Sequence, residues 1–330
     1  MKAVIPVAGI GTRLRPHTHT QPKSLIPVAG KPILAHIVDQ LVMAGITDII
    51  FIIGYLGDKI EEYITKNYPN ITATFVIQTT GKGTGHAIWL AKEVINNDEI
   101  LIVFGDTICE VNWQAVILSP NSTLGVKKVD DPRQFGVAEV NDKNKIMRLV
   151  EKPAIPKSNL ALVGIYKIKE TEQLMNCLQN NIENNVKTQN EFHLTDALMC
   201  MVSMGFEFDT FKVDSWFDCG KKDILLQTNQ LLLKRGNFTS TNSELVQNSI
   251  IIPPVFIGLG TKINNSIIGP NVSIGENALI ESSIIKESII GPYAELYNAV
   301  LHNSLIGNDA SLQGTVHSLN LGDSAEINFS

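Results

Sequence analysis

Pro6-Val7-Ala8-Gly9-Ile10-Gly11-Thr12-Arg13-Leu14-Arg15-Pro16, continued by Gln21-Pro22-Lys23, decides how this chain is read. The apolar run Ala3-Val4-Ile5 before it predicts a first strand, and Lys31-Pro32-Ile33 after it opens a helical pattern. A glycine-bearing turn at a strand end lets the backbone approach a phosphate chain, with its amides donating to the phosphate oxygens. Arg13 and Lys23 add two mobile cations, which suits the charge of a nucleoside triphosphate. The loop lacks the Gly-Lys-Ser/Thr ending of a P-loop, and its glycines are not spaced as in a dinucleotide fold. Gly9 and Gly11 alone would serve equally as a plain strand-to-helix turn. Thr12-Arg13 and Pro22-Lys23 at this spacing favour the phosphate reading.

At 330 residues the chain is long for one domain and comfortable for two. Its hydrophobic share of 44%, against 18% charged, is that of a soluble globular protein. Lys and Arg number 27 against 33 Asp and Glu, a net charge of −6 without any basic block, which argues against a nucleic-acid partner. Cys109, Cys177, Cys200 and Cys219 are scattered with no Cys-x-x-Cys spacing. That speaks against a structural zinc site or a disulfide framework, and for reduced thiols in the cytosol. The first apolar run is too short for a signal-peptide core, and none approaches the roughly 20 residues of a membrane span. A cytoplasmic protein with no membrane partner is expected.

Up to about residue 235, short apolar runs (Lys2–Val7, Asp48–Ile53, Ala73–Ile77, Ile100–Phe104) alternate with helical patterns (Ile33–Ala44, Asp58–Tyr68, His86–Val94). Ile33, Ile37, Leu41 and Ala44 fall on one helical face, and Gly45 ends that helix. Strands apolar on both faces and separated by helices imply a parallel sheet covered on both sides. Ligands in such sheets sit beyond the carboxyl ends of the strands, where Gly9–Arg13 and Gly105-Asp106 both fall. Thr123–Val129, Val137–Val140, Ile146–Val150 and Ala161–Ile168 read as a β-rich insertion over one side of the cleft. Helices resume at Leu194–Met204 and Lys221–Lys234.

After Gly236 helical periodicity vanishes, and aliphatic-Gly pairs recur from Ile257-Gly258 to Leu321-Gly322. From Gly275 their intervals are 16, 16 and 15 residues, close to one coil of a three-sided parallel β-helix. An antiparallel β-domain with frequent turns is the competing reading. The expected class is therefore α/β: a Rossmann-like domain with a mixed, mainly parallel sheet over 1–235, then a short left-handed parallel β-helix over 245–330.

Further motifs follow the predicted strands. Gln78 precedes Gly81-Lys82-Gly83-Thr84-Gly85-His86, which opens a helix. An amide side chain donates and accepts in one plane, as the edge of uracil or thymine requires. His86 is tempting as an acid or base but belongs in the first helical turn with a structural role. Asp106 ends Gly105-Asp106-Thr107, where a lone Asp is often only a helix cap. Trp216-Phe217-Asp218-Cys219-Gly220 supplies a second carboxylate, and the two together could hold Mg²⁺ between substrate phosphates. Phe135-Gly136-Val137, Glu151-Lys152-Pro153, Gly164 and Glu191-Phe192-His193-Leu194-Thr195-Asp196 complete the set. Alone, Glu-Lys-Pro is a common surface turn.

Together these motifs resemble the sugar-1-phosphate nucleotidyltransferases, glucose-1-phosphate uridylyl- and thymidylyltransferases above all, over residues 1–235. In that family Ala8, Gly9, Gly11, Thr12 and Arg13 would cradle the triphosphate with Lys23, and Gln78, Gly83 and Thr84 would read the base. Asp106 and Asp218 would hold Mg²⁺. Gly136, Glu151, Lys152 and Gly164 would bind the sugar phosphate, with Glu151 on a hydroxyl and Lys152 on the phosphate. Arg13, Lys23 and Lys152 would be the catalytic cations. The resemblance implies a nucleoside triphosphate (UTP or dTTP) and a hexose 1-phosphate as substrates. The apolar end coils and exposed edge of the expected β-helix imply a homo-oligomer assembled through the tail. Ala8-Gly9 leans towards uridylyl transfer, whereas chain length also fits the thymidylyl branch.

Two alternatives remain. A bifunctional enzyme would transfer acyl groups on the β-helix, with His302 and His317 as candidate bases. A non-catalytic regulatory subunit would share the architecture, but it has no need of Arg13, Lys23, Asp106, Lys152 and Asp218.

Overall fold

Ala3, Val4 and Ile5 are fully buried in strand β1 (Lys2–Pro6), the centre of the main sheet of this computed structural model. The structure describes residues 1–236 and 245–314. Strand β2 (Asp48–Ile53) pairs parallel with β1 on one side, and β3 (Thr72–Ile77) extends that side in parallel. Strand β4 (Ile100–Val103) pairs parallel on the other side of β1, so Val4 faces Ile50 across one ladder and Ile102 across the other. Isoleucine and valine at these positions leave no polar face, so helices must cover both sides of the sheet. Helix α1 (Ile33–Met43) buries Ile33, Leu34, Ile37, Val38 and Leu41, and α2 (Gly57–Asn67) buries Ile60 and Ile64.

The chain winds outward from β1 to β2 and β3, then crosses back to place β4 on the other side. That reversal opens a crevice between the carboxyl ends of β1 and β4, the usual ligand position in such sheets. The two loops there touch: a side chain at Gly105 would bring its first carbon within 2.2 Å of Val7 Cγ1. Only glycine fits that approach.

The expected helix His86–Val94 is two pieces, α3 (Thr84–Leu90) and a single turn at Lys92–Ile95. At the break, Ala91 N–H bonds Ile88 O in a tightened turn. The strands expected as an insertion belong instead to the main sheet. After β5 (Thr107–Cys109), β6 (Thr123–Lys128), β7 (Gly136–Val140) and β8 (Ile146–Glu151) lead to β9 (Leu160–Ile168), which pairs antiparallel with β4, β6 and β7. Eight of β9's nine residues are buried, which is why it sits inside the sheet and not over it.

Helix α4 (Thr171–Glu183), strand β10 (Asp209–Lys212) and strand β11 (Trp216–Asp218) were not anticipated. Helix α5 (Leu194–Ser203) packs Leu198 and Met201 into the core with Ile50, Ile100 and Ile88. Cys177 on α4 and Cys200 on α5 are joined as a disulfide, with Cα atoms 6.0 Å apart. This corrects the expectation of reduced thiols at these two positions: α4 and α5 pack side by side, a tertiary relation that residue spacing does not encode. Cys109 and Cys219 are buried and take part in no disulfide. No helix among the described residues is long and apolar enough to cross a membrane.

The chain divides into two compact units, Met1–Pro27 with Lys31–Leu225, and Val28–Gly30 with Leu226 onward. The boundary falls inside helix α6 (Lys222–Arg235). In the second unit, Asn229 is fully buried; its Oδ1 accepts from Ala29 N–H (2.9 Å) and Ser273 Oγ (2.6 Å).

Beyond residue 245 the second unit is the expected parallel β-helix. Among the described residues it has three parallel sheets, one of five strands and two of four. Ile250, Ile267, Ile284 and Val300 stack in register, a repeat of 17, 17 and 16 residues. Ile263, Ile280 and Leu296 are fully buried in the interior, each worth about 1.5–3 kcal/mol of apolar burial. Asn248, Asn265, Ser282 and Asn298 take up one corner with φ near +50°, a left-handed geometry that asparagine tolerates best among non-glycine residues. This explains the asparagine-rich composition of the tail.

Candidate active site

The crevice between β1 and β4 is a cleft of about 440 Å³. Ala8, Gly9, Gly11 and Thr12 form one wall, Gln78, Gly83 and Thr84 another, and Lys23 and Asp106 also line it. Nine residues singled out from sequence therefore share one cavity. Gly11 closes the first loop by accepting a hydrogen bond from Thr18 Oγ1 (2.9 Å). Beside Gly9 there is open space, so the backbone there is accessible to a ligand.

The charged centre is built by strand pairing. β11 runs antiparallel to β5 with Asp218 opposite Thr107, and Cys219 N–H bonds Asp106 O at 3.0 Å. Two aspartates more than a hundred residues apart are thereby brought to one ammonium. Lys23 Nζ lies 2.5 Å from Asp106 Oδ2 and 3.8 Å from Asp218 Oδ1, and Arg13 Nη2 is 4.0 Å from Asp218 Oδ2. Burial pushes the Asp106 carboxyl up, but the charge and hydrogen bond of Lys23, with the Thr107 hydroxyl, outweigh it and hold the group below its ordinary value. Asp218 goes the other way. Burial, then the Asp106 charge, raise it against the opposing pull of Lys23 and Arg13.

No cluster of three or more acidic, histidine or cysteine side chains suited to a metal occurs among the described residues. Two carboxylates without a third ligand suit magnesium, which commonly takes one or two carboxylates and completes its shell with water and substrate phosphates. The donor set fits that ion, with Asp106 and Asp218 as the residues that would hold it.

At the other wall, Gln78 Nε2 donates to Gly83 O (3.2 Å) and faces His86 Nδ1 (3.1 Å). Burial, then Lys82, lower the His86 imidazole, which fits its structural place against Gln78. Gly83 has φ +101°, and a side chain there would meet Phe192 O at 2.5 Å. Leu194 N–H bonds Thr84 Oγ1 (3.2 Å), so the 192–194 segment clamps this loop.

A second group gathers around Glu151, at the end of β8. Thr195 Oγ1 donates to Glu151 Oε2 (2.7 Å), while His193 Nδ1 and Lys152 Nζ lie 3.5 Å and 3.8 Å from Oε1. Gly136 sits beside this carboxylate. Lys152 N–H bonds Phe135 O, and the Phe135 ring packs edge-on against Trp216 of β11, 4.7 Å between centroids. That contact links this group to the strand bearing Asp218. Gly164 packs against the ring of Phe104, which lines the cleft.

Residues 2–235 match the model of the nucleotidyl transferase family. The chain belongs to this family. It is a sugar nucleotidyltransferase, and the family binds a nucleoside triphosphate and a sugar 1-phosphate. It is 36% identical to the bifunctional protein GlmU of Methanocaldococcus jannaschii, over 96% of this chain and 73% of that one. It is 34% identical to the low-salt glycan biosynthesis nucleotidyltransferase Agl11 of Haloferax volcanii, over 71% of this chain and 66% of that one. A crystal structure provisionally assigned as a glucose-1-phosphate thymidylyltransferase from Bacillus anthracis, in complex with a sucrose, superposes with a TM-score of 0.62 at 27% identity. The superposition covers 73% of this chain and 98% of that one. The chain thus spans about two thirds to three quarters of the length of the first two relatives.

Within this nucleotidyl transferase, the sequence marks Thr195 and His193 only as members of a motif, with no role of their own, and does not mark Tyr55. Thr195 and His193 lie in the 191–196 segment, whose family resemblance was the available signal. Tyr55, which lines the cleft, follows β2 with no motif to mark it.

Proposed function

We propose that the enzyme transfers UMP or dTMP from UTP or dTTP to a hexose 1-phosphate, glucose 1-phosphate first among them, and releases pyrophosphate. The observation that carries this reading is the joint approach of Lys23 and Arg13 to Asp106 and Asp218 beside a glycine-walled cleft. The sugar phosphate's own oxygen attacks the α-phosphorus in line, so no side chain need act as base. Arg13 and Lys23 neutralise the triphosphate, Lys152 holds the sugar phosphate, and Glu151 accepts from a sugar hydroxyl. Magnesium, held by Asp106 and Asp218, would supply charge neutralisation between the two phosphates. Positioning and preorganised charge account for most catalysis of this type.

Gln78 favours uracil or thymine over cytosine. Its amide oxygen has no hydrogen-bond partner among the described residues. It suits the ring N3–H that uracil and thymine share and cytosine lacks. Of the relatives described above, only the Bacillus anthracis structure names a base and an acceptor, thymidylyl and glucose 1-phosphate. Turnover across a grid of triphosphates and hexose 1-phosphates tests the reading: UTP or dTTP with glucose 1-phosphate should lead. Preference for CTP or a purine triphosphate would overturn it.

The reaction would belong to residues 1–235 and assembly to the tail. Ile250, Ile284 and Val300, exposed in one column of the β-helix, support a homo-oligomer. A second reading, acyl transfer, has one observation in its favour: His302 Nε2 lies 3.0 Å from Glu287 Oε2 on an exposed face. His317 lies outside the described residues. Acetyl transfer from acetyl-CoA by the intact protein would establish this reading, and its absence would dismiss it.

A further inference from the structure

Glu151 is nearly enclosed, with 10% of its side chain exposed, and its two carboxylate oxygens are treated differently. Oε2 accepts from Thr195 Oγ1 at 2.7 Å. Oε1 has only the longer approaches of His193 and Lys152, at 3.5 Å and 3.8 Å. Thr195 is itself 6% exposed and stands in the first turn of α5. Gly136 makes the bond possible: a side chain there would lie 2.9 Å from Thr195 Oγ1 and 3.1 Å from Glu151 Oε2. The segment leading into α5 is fixed in turn by the opposite loop, through Phe192 N–H to Lys82 O (2.9 Å), Gly85 N–H to Phe192 O (2.8 Å) and Leu194 N–H to Thr84 Oγ1 (3.2 Å). Four residues thus run from the base-side loop to the carboxylate on the sugar side.

We infer that Thr195 is a positioning residue for sugar-phosphate recognition: its hydroxyl occupies Glu151 Oε2, so that Oε1 alone is presented to a sugar hydroxyl. This rests on the reading of Glu151 as the sugar-binding carboxylate. A nearly enclosed carboxylate with neither oxygen held could turn about its last bond and offer either one. Pinning one oxygen fixes the plane of the group and the direction of the acceptor lone pairs, which is where a hydrogen bond to a charged group gains its strength.

The test is a steady-state comparison of Thr195→Val, Thr195→Ser, Glu151→Gln and the Thr195→Val/Glu151→Gln double variant, with KM measured separately for the triphosphate and for glucose 1-phosphate. Valine keeps the branched shape in the helix and replaces the hydroxyl with a methyl group that cannot donate. Thr195→Val should raise the sugar-phosphate KM about tenfold and leave the triphosphate KM within about twofold. Thr195→Ser should restore it to within about threefold of the parent. In the Glu151→Gln background, Thr195→Val should add less than about threefold, because the partner it orients is already altered. A normal KM in Thr195→Val, equal damage to both substrates, failure of serine to rescue, or additive effects in the double variant would each overturn the inference. If Thr195→Val does not fold, Thr195→Ala carries the test: a sugar-phosphate KM within about threefold of the parent overturns the inference, and a selective rise of about tenfold upholds it. If Glu151→Gln alone leaves the sugar-phosphate KM unchanged, the placement of the sugar site is wrong and the inference falls with it.

Discussion

Lys23 Nζ stands 2.5 Å from Asp106 Oδ2 and 3.8 Å from Asp218 Oδ1, so a single ammonium, 11% exposed, serves both carboxylates. The two aspartates answer to it unequally. Asp106 is held below its ordinary value and Asp218 above, because Asp218 is partly desolvated beside the Asp106 carboxylate.

Replacing either aspartate by asparagine should abolish most turnover, since each removes one charge from the centre that would hold magnesium. Their effects on stability should have opposite signs. Asp106, depressed on folding, contributes stability above its unfolded value that is lost as pH falls through the folded one. Asp106→Asn should therefore lower Tm near pH 7.5, and the deficit should shrink in acid. Asp218, raised on folding, contributes stability only below its unfolded value and loses it as pH rises through the folded one. Asp218→Asn should raise Tm near pH 7.5, and that gain should vanish in acid. Each group is about one-third exposed, so screening limits the shift to about 1–3 °C. Thermal melts at pH 7.5 and 4.5 check both signs.

Arg13 belongs to the triphosphate loop and Lys152 to the Glu151 group. Arg13→Ala should raise KM mainly for the triphosphate, and Lys152→Ala mainly for the hexose 1-phosphate, each by tenfold or more on the order of a lost charge-assisted contact. A crossed pattern in steady-state kinetics would show that the two groups have been assigned to the wrong substrates.

Ile280 is fully buried in the β-helix, flanked in register by Ile263 and Leu296. Ile280→Ala should cost about 2–5 kcal/mol of tail stability through the cavity it leaves. Denaturant melts of parent and variant, followed by far-UV circular dichroism, measure the loss.

Ile284 and Val300 point outward from the same sheet, with Val300 78% exposed. Ile284→Asp with Val300→Asp should reduce the assembly to a smaller species on light scattering while leaving the turnover of each subunit intact. An unchanged mass would move the subunit contact off this face.

Much of the site was legible in local patterns, because loops that bind phosphate need particular residues at particular spacings. Ala8 to Thr12, Gln78, Gly83, Thr84 and Asp106 meet in one cleft because each follows a strand of the same sheet, and Lys23 joins them from the short helical turn Lys23–Leu25. The motifs name Asp106 and Asp218 as a pair, but the strand pairing that brings them together is not legible in the sequence. It depends on a three-residue strand, Trp216–Asp218, too short to show a period. β9 was misjudged for a related reason: an apolar run does not announce whether it pairs with a distant strand or lies over it. The Cys177–Cys200 link and the Thr195–Glu151 bond arise from packing between elements, and neither leaves a mark on residue spacing.

Incubating the purified protein with magnesium, UTP or dTTP and glucose 1-phosphate, and following pyrophosphate together with the sugar nucleotide by mass spectrometry, bears on everything above. Pyrophosphate and a UDP- or dTDP-hexose should appear one for one, and both should depend on the sugar phosphate. Neither product from any common triphosphate and hexose 1-phosphate, or pyrophosphate without a sugar nucleotide, would contradict nucleotidyl transfer to a sugar phosphate at this cleft.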